Sequence, residues 1–158
     1  MEYSQISLSE LWPLMKEQID NGKTVVFAPN GTSMLPLIRP NIDRVMLRKA
    51  PEKLKKYDIP LYLRENGQFV LHRVVGLDGD GYVMCGDNQY RREHGITDGQ
   101  ILAVACGVYK GNDFMQFDGK KYFKYCKKQV AKKRIYGGYM KVRGFAGKIK
   151  RKIKKRFL

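Results

Sequence analysis

Apolar positions early in the chain recur at helical spacing: Leu8, Leu11, Trp12, Met15 and Ile19 fall on one face. The preceding Ser7-Leu8-Ser9-Glu10 reads as a capping box, with Ser7 as N-cap and Glu10 three residues on, and Asn21-Gly22 closes the helix. Pro13 sits deep for a first-turn proline, which moves the expected start toward Ser9. The apolar face is expected to pack on the body rather than lie on a membrane, because the polar face carries Glu17 and Asp20 beside Lys16.

From Lys23 to Lys110 the pattern changes to short runs of β-branched and aromatic residues, bounded by Gly, Pro, Asn and Asp. Strands are expected at Thr24–Phe27, Arg44–Arg48, Ile59–Arg64, Phe69–Val75, Tyr82–Cys85 and Ile101–Tyr109. Glu65-Asn66-Gly67-Gln68 and Asp78-Gly79-Asp80-Gly81 are hairpin turns by composition, so Ile59 to Cys85 reads as a meander of adjacent antiparallel strands. Pro60 makes its strand an expected edge. The expectation is a mainly β chain: an N-terminal helix over 1–22, a β domain over 23–118 and a basic, partly helical tail over 119–158.

Charge sharpens that division. The net charge is +16 in 158 residues, yet 17 of the 31 Lys and Arg lie in 120–158, which holds no acid; the other 14 face all 15 Asp and Glu in 1–119. Tyr122, Phe123, Cys126 and Val130 share one side of a possible helix, which Gly137-Gly138 breaks. Beyond the break Phe145, Ile149, Ile153 and Phe157 keep three-to-four spacing among Lys148, Lys150, Arg151, Lys152, Lys154, Lys155 and Arg156. A basic amphipathic segment of this kind suits an anionic membrane surface better than nucleic acid, since phosphate binding has no use for the apolar stripe. Such a tail belongs on the cytoplasmic side of a membrane, so a cytoplasmic protein, peripheral on the inner face, is expected. No apolar run is long enough to span a bilayer, and no signal-peptide core opens the chain. Cys85, Cys106 and Cys126 are odd in number and widely spaced, which speaks against a disulfide framework and a zinc site; no cofactor or metal is called for.

The chemistry-bearing residues are few. Ser33 lies in Gly31-Thr32-Ser33-Met34-Leu35-Pro36, after a strand. A serine hydroxyl needs a base to become a nucleophile, and the chain has two histidines, His72 and His94. Gly31 and Thr32 would let a substrate carbonyl approach, the Ser33 N–H would help hold an oxyanion, and Met34 and Pro36 would wall the pocket. Strand alternation sets Val70, His72 and Val74 on one face and Leu71, Arg73 and Val75 on the other, where Arg73 is suited to hold a carboxylate.

The order of these blocks resembles the signal peptidase I superfamily, which includes LexA-type self-cleaving repressors. The matching segments are Ser33-Met34-Leu35-Pro36, Asn41-Ile42-Asp43-Arg44-Val45, Tyr57-Asp58-Ile59-Pro60, His72-Arg73-Val74, Gly86-Asp87-Asn88 and a strand from Ile101 to Val108, together most of residues 23 to 110. The resemblance implies the family's β-ribbon fold and a serine endopeptidase acting on a peptide or protein. Histidine at position 72 is similar to the endoplasmic-reticulum-type branch, which uses Ser–His, and differs from the Ser–Lys branches. It implies Ser33 as nucleophile, His72 as base and a carboxylate as third member, with Asp87 ranked before Glu93. The sequence departs from the family in two places: Tyr57 stands where a glycine is usual, and no transmembrane anchor precedes the serine. A leader or precursor peptide is the expected substrate. The alternative is a catalytically silent β module that holds an extended peptide and is tethered to membrane or nucleic acid by its tail. A LexA-type regulator is disfavoured, because residues 1 to 22 are too short for a helix-turn-helix domain.

Overall fold

The computed structural model describes residues 7–133 and 135–136. Helix α1 spans Leu8–Asp20, capped as its sequence predicts: Ser7 Oγ accepts from the Glu10 N–H, and the Ser7 N–H donates to Glu10 Oε2 at 2.7 Å. It starts at Leu8 rather than Ser9, so Pro13 lies within its second turn. Gly22, at φ +77°, follows the Asn21 C-cap.

The chain is mainly β, in two sheets. In chain order the strands are β1 (Val25–Phe27), β2 (Arg44–Arg48), β3 (Pro60–Leu63), β4 (Phe69–Leu71), β5 (Arg73–Asp78), β6 (Gly81–Cys85), β7 (Glu93–Ile96), β8 (Ile101–Lys110) and β9 (Asp113–Gln116). The larger sheet runs β1-β2-β8-β3-β4, with β9 on the part of β8 that β3 leaves free; the smaller runs β5-β6-β7. All pairings are antiparallel. Residues 119–133 and 135–136 are helical and make up the described part of a second helix, α2.

Period-two alternation divides the core. Val45, Leu47, Leu61, Leu71, Ala103 and Ala105 turn one face of the larger sheet toward Met15 and Ile19 of α1, Met34 and Ile38 of the following loop, and Tyr122 and Cys126 of α2. Tyr62, Val70 and Val104, one residue out of phase, pack with Val74, Tyr82, Met84 and Ile96 of the smaller sheet. Each fully buried Leu or Ile contributes about 1.5–3 kcal/mol, so the larger sheet is stabilised from both sides.

Three differences from the pattern-based reading have plain causes. The expected strand Phe69–Val75 is two strands: β4 ends at Leu71, β5 begins at Arg73, and His72 lies between them as the chain passes from one sheet to the other. Ile59 to Cys85 is therefore two hairpins and not one meander. Second, β3 is no edge but lies between β8 and β4. Pro60 is tolerated because it is the first residue of the strand; β4 pairs only from Leu61 onward, and the ladder with β8 shifts register after Leu61. Third, β7 and β9 have no alternating apolar pattern: every residue of β9 is exposed, and only Ile96 of β7 is buried. Arg44–Arg48 has the predicted bounds, and the turn at Gly67 (φ +79°) joins β3 to β4.

Candidate functional site

The Ser33 loop is fastened at several points. Met34, Leu37 and Ile38 are buried in the core, and the Ile38 N–H donates to the Met34 carbonyl. Asp43, fully buried, accepts from the Arg39 backbone N–H and guanidinium and from Lys110 Nζ; Lys110 also donates to the Leu37 carbonyl at 2.7 Å. Burial works to raise the Asp43 pKa, but these donors outweigh it and hold the carboxyl well below its usual range. Asn41, two residues before Asp43, has φ +57°, a conformation that asparagine tolerates better than most residues.

Ser33 is held from the other side by the Gly86-Asp87-Asn88 turn. The Asn88 N–H donates to the Ser33 carbonyl at 2.7 Å, and Asn88 Nδ2 to the Thr32 carbonyl at 3.3 Å. Gly86 permits this closeness, since a Cβ there would meet the Ser33 carbonyl oxygen at 2.6 Å. The Ser33 N–H has no hydrogen-bond partner among the described residues.

His72 is buried, and its surroundings settle its state. Nδ1 lies 3.1 Å from Glu93 Oε1 and 3.2 Å from the Tyr62 hydroxyl, while the Tyr62 O–H donates to the same carboxylate oxygen at 2.8 Å. Arg64 completes the set, with Nε and Nη2 on the two oxygens of Glu93 at 2.6 and 2.5 Å. Burial pushes the Glu93 pKa up, but the bonds from Arg64 and Tyr62 prevail and keep it lowered, so it is an anion. An anionic carboxylate only accepts, so Nδ1 carries the proton and Nε2 the lone pair. Burial lowers the His72 pKa; the Glu93 charge works in the opposite direction, and the charges of Arg64 and Lys133 add to the lowering. The neutral ring with a free Nε2 is the form a general base requires.

Ser33 and His72 line one cleft of about 1050 Å³ with Gly31, Thr32 and Met34. Pro36 is exposed and not among its lining residues. Val26 and Phe27 of β1 and Phe69, Val70 and Leu71 of β4 also line it, so the two end strands of the larger sheet both border the cleft. No hydrogen bond joins Ser33 Oγ to His72 among the described residues. His94 is exposed and paired with Asp78, outside the cleft.

Asp87 is not beside His72. Its carboxylate takes Arg73 Nε and Nη2 at 2.8 and 2.7 Å, both side chains buried, and the Tyr125 O–H at 2.9 Å. Arg73 Nη1 reaches the Tyr57 carbonyl, the Tyr122 hydroxyl and Cys126 Sγ. The partner that meets the histidine is Glu93, ranked second from sequence, while Asp87 meets the arginine that strand alternation had assigned to a carboxylate. Tyr62 and Arg64 were not singled out. Their signal is weak: Tyr62 lies near the end of β3 and Arg64 just after it, and only the fold brings Glu93 across from the other sheet.

Among the described residues no group of three or more His, Cys, Asp or Glu could hold a metal ion, and no helix is long and apolar enough to cross a membrane. The tail residues Phe145, Lys148, Ile149, Lys150, Arg151, Lys152, Ile153, Lys154, Lys155, Arg156 and Phe157 lie outside the described residues. No family model, curated protein or solved structure matches the chain.

Proposed function

We propose that the chain is a serine endopeptidase with a signal-peptidase-like fold, in which Ser33 is the nucleophile, His72 the base and Glu93 the carboxylate that orients it. The observation that carries this reading is the shared cleft: Ser33 and a neutral His72, with Nδ1 turned to Glu93, border the same space. In the proposed reaction His72 Nε2 takes the Ser33 proton as Oγ attacks the scissile carbonyl, and the imidazolium formed is stabilised by the Glu93 charge. The Ser33 N–H helps hold the oxyanion. The imidazolium then returns the proton to the leaving amine, and water repeats the sequence on the acyl-enzyme. In the proposed reaction substrate binding brings Ser33 Oγ within hydrogen-bond reach of His72 Nε2.

The backbone lends support at one place where the sequence departs from the family pattern. Tyr57 occupies the position of the usual glycine and has φ +86°, a region that favours glycine; its carbonyl accepts from Arg73. Serine-directed phosphonate labelling tests the reading: the wild-type chain should be phosphonylated at Ser33, and Ser33→Ala and His72→Ala should each abolish labelling and peptide cleavage. Full activity in either variant overturns it.

One observation favours a second reading. Both end strands of the larger sheet border the cleft, so an extended peptide could add to a sheet edge without being cut. That module would bind peptide and leave the phosphonate untouched.

A further inference from the structure

We propose that Lys133, on the last described turn of α2, is a positioning residue for Ser33, acting through the Gly86–Gln89 turn. Lysine is seldom buried without a carboxylate, yet Lys133 is 3% exposed and has no ion pair among the described residues. Its Nζ donates to three backbone carbonyls of a single turn: Gly86 at 2.6 Å, Asp87 at 3.2 Å and Gln89 at 2.5 Å. An ammonium has three N–H donors, and here three carbonyls meet them. The converging dipoles stabilise the buried charge, and the charge in turn fixes the direction in which those carbonyls point.

That direction matters because the same turn presents the Asn88 N–H, on its way between the three carbonyls, to the Ser33 carbonyl. Were the turn to rotate, the carbonyl of Ser33 would lose its donor, and Gly86 would no longer lie against the Ser33 backbone. The Asp87 side chain cannot hold the turn's carbonyls in Lys133's place, because it is an acceptor already engaged by Arg73 and Tyr125. α2 grips the same loop a second time: the Tyr90 ring stacks on Tyr136 at 3.8 Å between centroids and lies 5.8 Å from Lys133 Nζ. The inner face of a helix that the charge pattern assigned to a tail thus acts on the candidate nucleophile. Buried Tyr122 and Cys126, which bond Arg73, belong to that face, while Lys120, Lys121, Lys124, Lys127, Lys128 and Lys132 are exposed.

The kinetic part of this inference rests on the serine-peptidase reading; the conformational part does not. The test is amide hydrogen exchange and phosphonylation of Ser33 by a phosphonate probe on the full chain as wild type, Lys133→Met and Lys132→Met, the last removing an exposed charge next door. In Lys133→Met the Asn88 and Gln89 amides should exchange at least about tenfold faster while the β2–β8 ladder keeps its protection. The maximal phosphonylation rate should fall on the order of 10²-fold, with the half-saturating probe concentration unchanged. Lys132→Met should match wild type. Unchanged Asn88 protection in Lys133→Met overturns the inference, as does a loss of protection spread evenly over the β2–β8 ladder. If wild type is inert to the probe while Asn88 still responds, the peptidase reading fails and the Lys133 clamp on the Ser33 loop stands.

Discussion

Gly86 lies directly against Ser33: a Cβ on Gly86 would come within 2.6 Å of the Ser33 carbonyl oxygen and 3.0 Å of Ser33 Cβ. Gln89 Oε1, at 3.1 Å, can swing aside, but these two Ser33 atoms cannot. Gly86→Ala should therefore push the turn and the Ser33 loop apart, breaking the Asn88-to-Ser33 bond. The expected cost is about 1–3 kcal/mol of stability, with cleavage reduced on the order of 10²-fold. Denaturant midpoints and peptide turnover measure the two; a variant with wild-type turnover would separate the turn from the chemistry.

The two acidic candidates should fail in different ways. Asp87→Asn removes the charge of one partner of a fully buried pair and leaves the Arg73 guanidinium without its counter-ion, at a cost of about 3–5 kcal/mol. Glu93→Gln acts on a partly exposed cluster beside His72, so its stability loss should be smaller, while cleavage falls on the order of 10²-fold or more. Equal destabilisation by both, with equal residual turnover, would show that Glu93 has no special bearing on the histidine.

Activity should follow the His72 titration. Because burial lowers the His72 pKa below the ordinary 6.5, kcat/KM should rise with pH along a limb centred below that value. Glu93 is the charge that works against the lowering, so Glu93→Gln should shift the limb to still lower pH. A limb that moves upward in the variant contradicts the assigned contact.

The same histidine sets a sign for stability. Its folded pKa lies below its unfolded one, so between the two values the unfolded chain binds more protons. Its stabilising contribution is complete above pH 6.5 and declines as pH falls toward the folded value. In His72→Gln that part of the pH dependence should disappear from urea midpoints measured across this range.

Removing residues 137–158 should leave α2 contacts through Tyr136 in place while deleting most of the apolar stripe and its lysines. Under the membrane reading, this form loses salt-sensitive retention on anionic liposomes and keeps its phosphonylation rate. Retention on DNA rather than liposomes would instead favour nucleic acid as the partner.

Much of this was legible in the chain because local signals and tertiary needs agreed. Ser7 and Glu10 predict α1 by hydrogen bonds they make within four residues, and Asn66-Gly67 predicts a hairpin by backbone conformation alone. Arg73 was legible as a carboxylate holder because strand alternation separates it from His72. The partner of His72 was not, because Asp87 and Glu93 are both near in sequence and only the register of β6 with β7, which pairs Met84 with Glu93, turns one of them toward the ring. Lys133 was hidden by its company: among so many lysines, nothing in composition separates the one that is buried. The split at His72 was likewise invisible, since Phe69 to Val75 is a β-prone run with no Gly, Pro, Asn or Asp to interrupt it.

That split has a consequence for the imidazole. His72 is the only residue between β4 and β5, and it contacts Tyr62 from one sheet and Glu93 from the other. The ring therefore stands on a seam, with its orientation set by how the two sheets are aligned. A substitution deep between them, far from the cleft, that lets one sheet slide by a fraction of an ångström would be felt first as a change in the basicity of Nε2. Under the proposed mechanism, the packing of the body is the device that tunes its base.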